Sequence, residues 1–420
     1  MGPKSEMDNF KLAMLLTVGV LVAGAFTARA TAERPSATRT RQLIKSQQPV
    51  TIVCLGDSVT GIYYHSGGRR AYPELLESAL RASLNNNNVR VVNAGVSGNR
   101  TADGLARLDH DVLRHKPDLV TVMFGLNDMQ GISLQRYVEN LHAIVARIQA
   151  AGAEVVLCTP NDIIDSPAWQ RSELLKYIAV VRQISNEESL PLADVFAAFE
   201  SLRSTNESDF QCELNDPIHP NFNGHRRIAT VLAGEIAGQS VSIADAALPP
   251  LPKTSSRVEA RQPIRVVTLL APGILNKPEM QKLWPEASIE FLNTETPESV
   301  EEFELAAEKV CGLKPNLVIV GVPSSAQATS EAEFVAGYNR VLNQCLTGGE
   351  QDWDVMVVLP SVADKANDPS DRKFDRTARA IARSRDLPSV ERRIHDRRSA
   401  TEILTESLSE LTAKSSDQLP

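Results

Sequence analysis

The sequence predicts an α/β protein: a three-layer α/β/α sandwich on a parallel sheet, present in two copies. Three observations carry this. Short apolar, β-branched runs alternate with longer segments of helical periodicity. The runs lack the in/out alternation of a half-exposed strand, as parallel strands covered on both faces do. The pattern also returns in the second half at a nearly constant spacing of about 200 residues.

The chain opens with Lys4 and Lys11, an apolar run from Leu12 to Phe26, and the small-x-small steps Ala28-Arg29-Ala30 and Ala30-Thr31-Ala32. That is the pattern of a secretory signal peptide over residues 1–30, and it implies a secreted or periplasmic protein. The run is short of the roughly 20 residues of a spanning helix. No membrane span is therefore expected after processing, with a retained N-terminal anchor as the alternative. The polar residues 31–48 read as a flexible lead-in.

Strands are expected at 51–55, 89–93, 118–124 and 153–159, and helices over Tyr72–Leu84, Leu134–Ala150 and Trp169–Glu187. Together they make one domain, 49–238. Residues 239–262, with Pro249, Pro250 and Pro252 close together, read as a linker. A second α/β domain, 263–400, is expected with strands at 264–270, 288–292, 316–321 and 354–359. Lys116-Pro117-Asp118-Leu119-Val120 returns there as Lys314-Pro315-Asn316-Leu317-Val318, and Leu190-Pro191 as Leu387-Pro388. Residues 401–420 read as a C-terminal helix or tail.

Composition excludes several classes. The net charge is −8, and no Lys/Arg cluster is interleaved with aromatics, so nucleic acid is not an expected partner. Five scattered cysteines are too few for a disulfide framework. Whether Cys311 and Cys345 pair is left open. Without Cys-x-x-Cys, His-x-x-x-His or a glycine-rich nucleotide loop, neither metal nor cofactor is expected.

The chemistry gathers at strand ends. The run Thr51–Leu55 stops at Gly56-Asp57-Ser58, which places a serine where open α/β sheets bind their ligands. Any strand-to-turn junction favours such a tripeptide. Three later blocks give it weight: Gly95-Val96-Ser97-Gly98-Asn99, then Gly125-Leu126-Asn127-Asp128, then Asp216-Pro217-Ile218-His219. A serine hydroxyl needs a base, and His219 is the candidate. Asp216, three residues earlier, falls on the same face of a helical turn and can hold the imidazole tautomer. Alternatively, Asp216 caps the helix that begins near Asn223. Ser97 is not in a Gly-x-Ser-x-Gly elbow and is no rival nucleophile.

This ordered set resembles the SGNH (GDSL-type) hydrolase family of esterases and lipases, over about residues 50–238. The resemblance implies a flavodoxin-like sheet and a serine ester hydrolase that forms an acyl-enzyme on Ser58. It implies His219 as base, Asp216 as its orienting partner, and an oxyanion hole formed by the Ser58 and Gly98 backbone N–H groups and the Asn127 amide. A small acyl ester, a lysophospholipid or an acylated polysaccharide is compatible as substrate, and secretion favours carbohydrate acetyl esters. Tyr63, Tyr64, His65, Arg69 and Arg70 are pocket candidates, with a solvated loop as the alternative. The second half carries Ala271-Pro272-Gly273 and Gly321-Val322-Pro323-Ser324 where the site would be. It is expected to be a degenerate, non-catalytic copy. A silent binding or scaffold protein built from two such domains is the competing reading.

Overall fold

The computed structural model describes residues 37–61, 71–243, 251–293, 299–321, 330–346, 352–363, 372–393 and 395–416. The expected signal peptide, the residues Tyr63–Arg70 and the pair Ser324 and Ser325 lie outside them.

The first sheet has five parallel strands, β1 (Val50–Gly56), β2 (Val89–Gly95), β3 (Leu119–Met123), β4 (Glu154–Cys158) and β5 (Leu192–Ala193), in the order β2-β1-β3-β4-β5. Successive residues of a strand point to opposite faces. Ile52 and Cys54 accordingly enter one apolar layer, with Leu76, Ile228 and Leu232. Val53 and Leu55 enter the other, with Leu141, Ile144 and Ile184. Burial on both faces is why these strands read as continuous apolar runs. The strand order reverses between β1 and β3, and the carboxyl ends of strands at such a point are where open α/β sheets bind their ligands.

The helices Tyr72–Leu84 and Leu134–Ala150 have the expected bounds. The third begins at Arg171 instead of Trp169, because Ser166 and Trp169 close a turn through two backbone hydrogen bonds of 3.1 Å. The polar lead-in contains the helix Thr38–Lys45. Glu154 anchors it by accepting from the Thr40 N–H at 2.7 Å and from its hydroxyl at 2.6 Å.

The second sheet has five parallel strands, β6 (Ile264–Leu269), β7 (Ile289–Asn293), β8 (Leu317–Val320), β9 (Asp354–Val358) and β10 (Ser389–Val390). Its order, β10-β9-β8-β6-β7, is that of the first sheet read from the other edge. Backbone detail repeats as well. Lys116 and Lys314 both turn left-handed, at φ 50° and 49°, and Ser189 and Asp386 both at 52°. Asp118 accepts from the Thr51 N–H and Asn316 from the Arg265 N–H, each at 2.9 Å. The segment read as a linker carries the helix Pro252–Glu259, capped by Asp354, which accepts from the Thr254 N–H at 2.7 Å. Glu154 does the same for Thr40. Pro252 suits the first helical position, where no N–H is needed.

Equivalent registers align Ile52 with Val266, since each pairs with the leucine that opens the next strand. Six residues on, Pro272 occupies the place of Ser58. All five cysteines are free thiols; Cys311 is exposed and Cys345 buried. Burial pushes the Cys54 thiol up to about 12. Among the described residues no helix is long and apolar enough to cross a membrane.

The two halves belong to one compact unit, residues 37–420. Cys212, from the first, sits in the apolar core of the second beside Phe334, Tyr338 and Val341.

If Asp118 and Asn316 are equivalent braces, Asp118→Ala and Asn316→Ala should each cost about 1–3 kcal/mol by leaving a strand N–H without its acceptor. Urea denaturation of the full chain reads both. A neutral Asn316→Ala would show that the second copy no longer relies on this contact.

Candidate active site

At the end of β1 the chain turns sharply. Asp57 Oδ1 accepts from the Val59 N–H at 2.9 Å, and the Asp57 carbonyl accepts from Gly61 at 3.0 Å. A four-residue helix, Ser58–Gly61, results. It lies directly on the end of β2: a Cβ on Gly61 would fall 2.4 Å from the Gly95 oxygen. Only glycine allows that approach. Ser58 is thereby brought beside the loop that carries Gly98, whose φ of +75° is left-handed.

Ser58 Oγ lies 2.9 Å from His219 Nε2, and His219 Nδ1 lies 2.7 Å from Asp216 Oδ2. The other carboxylate oxygen, Oδ1, accepts the backbone N–H groups of Ile218 and His219, each at 2.9 Å. Asp216 does not cap the following helix. Asn221 does, accepting from Asn223 at 3.0 Å and Gly224 at 3.2 Å. The competing reading of the Asp-Pro-x-His turn is thus resolved.

Asn127, at the end of β3, donates one amide hydrogen to the Asn99 carbonyl at 3.1 Å, which orients its other N–H. Arg107 ties these strand ends together. It donates to the Gly56 carbonyl at the end of β1 at 2.9 Å, the Ala94 carbonyl in β2 at 2.8 Å and the Asn99 side chain at 2.7 Å. Asp128 is fully buried and accepts from the Thr101 N–H and hydroxyl at 2.9 and 2.6 Å.

The turn bearing His219 is pinned from the loop after β4. Asn161 donates to the Ile218 carbonyl at 2.9 Å, and the Ile164 N–H to the Pro217 carbonyl at 2.8 Å. That loop is fixed in turn by Asp162, fully buried between Arg171 at 2.7 Å and Arg203 at 2.8 Å.

The site's carboxyl groups are driven in opposite directions. Burial pushes Asp57 up to about 7, only partly offset by the Val59 N–H and the charge of His219. Burial also opposes ionisation of Asp216, but the His219 hydrogen bond and charge and two backbone N–H groups outweigh it and hold that carboxyl below its usual range. His225 is buried, stacked on Tyr72 with ring centroids 6.5 Å apart, and pushed down to about 3 by burial and the charge of His219. It is a neutral core residue.

All five residues expected from the sequence therefore sit at the carboxyl ends of β1, β2 and β3 or in the turn before the last helix of the first half. Sequence reasoning misses Arg107, Asn161 and Asp162. For Asn161 and Asp162 a signal is present: they directly follow a predicted strand's carboxyl end. Arg107 carries none. Among the described residues no group of three or more His, Cys, Asp or Glu side chains is placed to hold a metal.

A hydroxyl hydrogen-bonded to an oriented imidazole can be deprotonated by it. The GDSL-like Lipase/Acylhydrolase family matches residues 54–227, which span this whole arrangement. The acetylxylan esterase of Geobacillus stearothermophilus is 31% identical over 161 residues, covering 35% of this chain and 72% of that protein. The chain belongs to the GDSL-like lipase/acylhydrolase family. Within that family the arylesterase of Vibrio mimicus is 34% identical over 192 residues, covering 46% of this chain and 90% of the arylesterase. The thioesterase 1/protease 1/lysophospholipase L1 of Escherichia coli K12 is 30% identical over 188 residues, covering 44% and 83%. This GDSL-type chain is a carboxylic ester hydrolase.

Asp162→Ala should destabilise the chain by about 1–3 kcal/mol, because Arg171 and Arg203 each lose their buried carboxylate partner and keep only Glu200 and Glu207 as carboxylate partners. A melting temperature unchanged from wild type would contradict that account of the loop.

Proposed function

We propose that this chain is a secreted serine esterase that acts through an acyl-enzyme on Ser58, with acetyl esters of carbohydrate as substrate. The observation that carries the reading is the unbroken hydrogen-bond chain from Ser58 through His219 to Asp216. Ser58 Oγ attacks the acyl carbon while His219 Nε2 takes its proton. Asp216, charged throughout, holds the Nδ1–H tautomer and stabilises the imidazolium. The developing oxyanion is received by the Ser58 and Gly98 N–H groups and by Asn127. His219 then returns the proton to the departing alcohol. Water, activated by the same imidazole, releases the acid and restores Ser58.

Two of the relatives, from Geobacillus stearothermophilus and Xylanibacter ruminicola, are named acetylxylan esterases, and this supports the choice of substrate. The basic and apolar N-terminal segment supports secretion. Activity across a p-nitrophenyl ester chain-length series, with acetylated xylan and pectin alongside, tests the choice. Acetate and acetylated xylan should be favoured; a preference for long acyl chains would overturn it.

Ser58→Ala should abolish turnover and leave the melting temperature nearly unchanged, and substantial residual activity would sink the assignment. His219→Ala should be almost inactive, with Asp216→Asn retaining more. Asn127→Ala should lower kcat by about a hundredfold with little change in KM; a change confined to KM would make it a binding residue. The rate should fall on acidification, since a protonated imidazole cannot accept the serine proton, while Asp216 stays ionised. A rate unchanged by acidification, with chemistry rate-limiting, would contradict this.

A further inference from the structure

The second half has lost the nucleophile position, yet two of its helices reach the turn that carries the base. Asn343, on the helix Glu331–Cys345, donates its side-chain amide to the Asn215 carbonyl, immediately before Asp216. The Asn215 N–H in turn donates to the His219 carbonyl at 2.9 Å. One buried residue, Asn215, therefore closes the turn through its N–H and is gripped from the second half through its carbonyl. At the far end of the same turn, Asn221 donates to the Ser384 hydroxyl at 3.1 Å, across from the helix Arg372–Ser384.

The orientation of Asn343 is itself determined. Arg385 is 1% exposed, and its guanidinium donates to Asn343 Oδ1 at 3.3 Å. Its Nε and one terminal nitrogen have no partner among the described residues. A guanidinium can only donate. The Asn343 oxygen must therefore face Arg385, and the amide nitrogen must face Asn215. A guanidinium buried with so few acceptors is costly and gives the second half little stability of its own. What it does is prevent the Asn343 amide from flipping.

We propose that Asn343 and Ser384 are positioning residues for the Asp216–His219 pair, with Arg385 fixing Asn343, so that the degenerate copy serves as a clamp on the base of the other half. The clamp rests on the reading of Ser58 as nucleophile and His219 as base. The second half grips the turn at residue 215 through Asn343 and adds to its hold at residue 221 through Ser384. The first half supplies Asn161 and Ile164, which hold the middle of the turn, and the Cys212 and Glu213 carbonyls, which accept from the Asn221 side-chain amide at 2.6 Å and its N–H at 2.9 Å; among the described residues no side chain of the first half grips the Asn215 carbonyl. A displacement of His219 Nε2 by a fraction of the 2.9 Å that separates it from Ser58 weakens proton transfer without altering where the substrate binds.

The test uses full-length Asn343→Ala, Asn343→Asp and Ser384→Ala, assayed with p-nitrophenyl acetate below each variant's melting transition. Asn343→Asp keeps the shape and the acceptor for Arg385 but removes the donor to Asn215. Both Asn343 variants should lower kcat about tenfold or more, with KM within about twofold of wild type. They should also shift or broaden the downfield proton resonance of the His219–Asp216 hydrogen bond. Ser384→Ala should do the same more weakly. Val341→Ala, in the core of the same helix, controls for general loosening: it should lower the melting temperature and leave kcat and the resonance alone. Wild-type kcat and an unmoved resonance in both Asn343 variants would overturn the proposal. So would an equal loss of kcat in Val341→Ala. Ser58→Ala is assayed alongside: activity there defeats the serine-esterase reading itself, whereas an inactive Ser58→Ala with normal Asn343 variants defeats the clamp alone.

Discussion

The hydrogen bond between Ser58 and His219 joins residues 161 positions apart, and the rest of the structure serves to hold its two ends in place. One end is set by β1. Its pairing on both sides, with β2 and β3, the tight turn capped by Asp57 and the glycine contact with β2 leave Ser58 little freedom. The other end has no strand beneath it. The turn from Asn215 to Asn221 is held instead by hydrogen bonds from three directions: its own backbone, the loop after β4, and two helices of the second half. A bond of this kind is only as reliable as its less constrained end, which is why so many buried polar side chains gather around this turn.

Asp57 and Asp216 lie in the same neighbourhood but behave in opposite ways, and depth and partners together decide it: Asp57 is 2% exposed, the Asp216 side chain 35%. Asp216 is matched on both oxygens by His219 and two backbone N–H groups, so its charge is favoured despite burial. Asp57, accepting from the Val59 N–H, is pushed up to about 7 by burial. The first is suited to stabilising an imidazolium, and the second to capping a turn without placing a second full charge beneath Ser58.

Much of this is legible in the sequence because it is local. The strands read as apolar runs because both faces of each sheet are covered. The four site blocks read because each follows a strand or precedes a helix. The features that do not read are long-range. Arg107 is recognisable only once Gly56, Ala94 and Asn99 are adjacent in space. Nothing near Asn343 in the chain points to Asn215, 128 residues earlier. The helices Thr38–Lys45 and Pro252–Glu259 read as flexible or linking segments because they are short and polar. Their order comes from single acidic residues, Glu154 and Asp354, on distant strands. The proline cluster that suggests a linker also supplies a helix-starting Pro252. The duplication, by contrast, goes deeper than the sequence suggests, reaching to paired left-handed residues and strand-end braces.

Labelling with a fluorophosphonate ester tests the central claim most directly, because the reagent reports on an activated serine and needs no knowledge of the natural substrate. The account predicts a single adduct, on Ser58, formed at least about a hundredfold more slowly in His219→Ala than in wild type. An adduct on any other residue, or equal labelling rates in the two proteins, would contradict it.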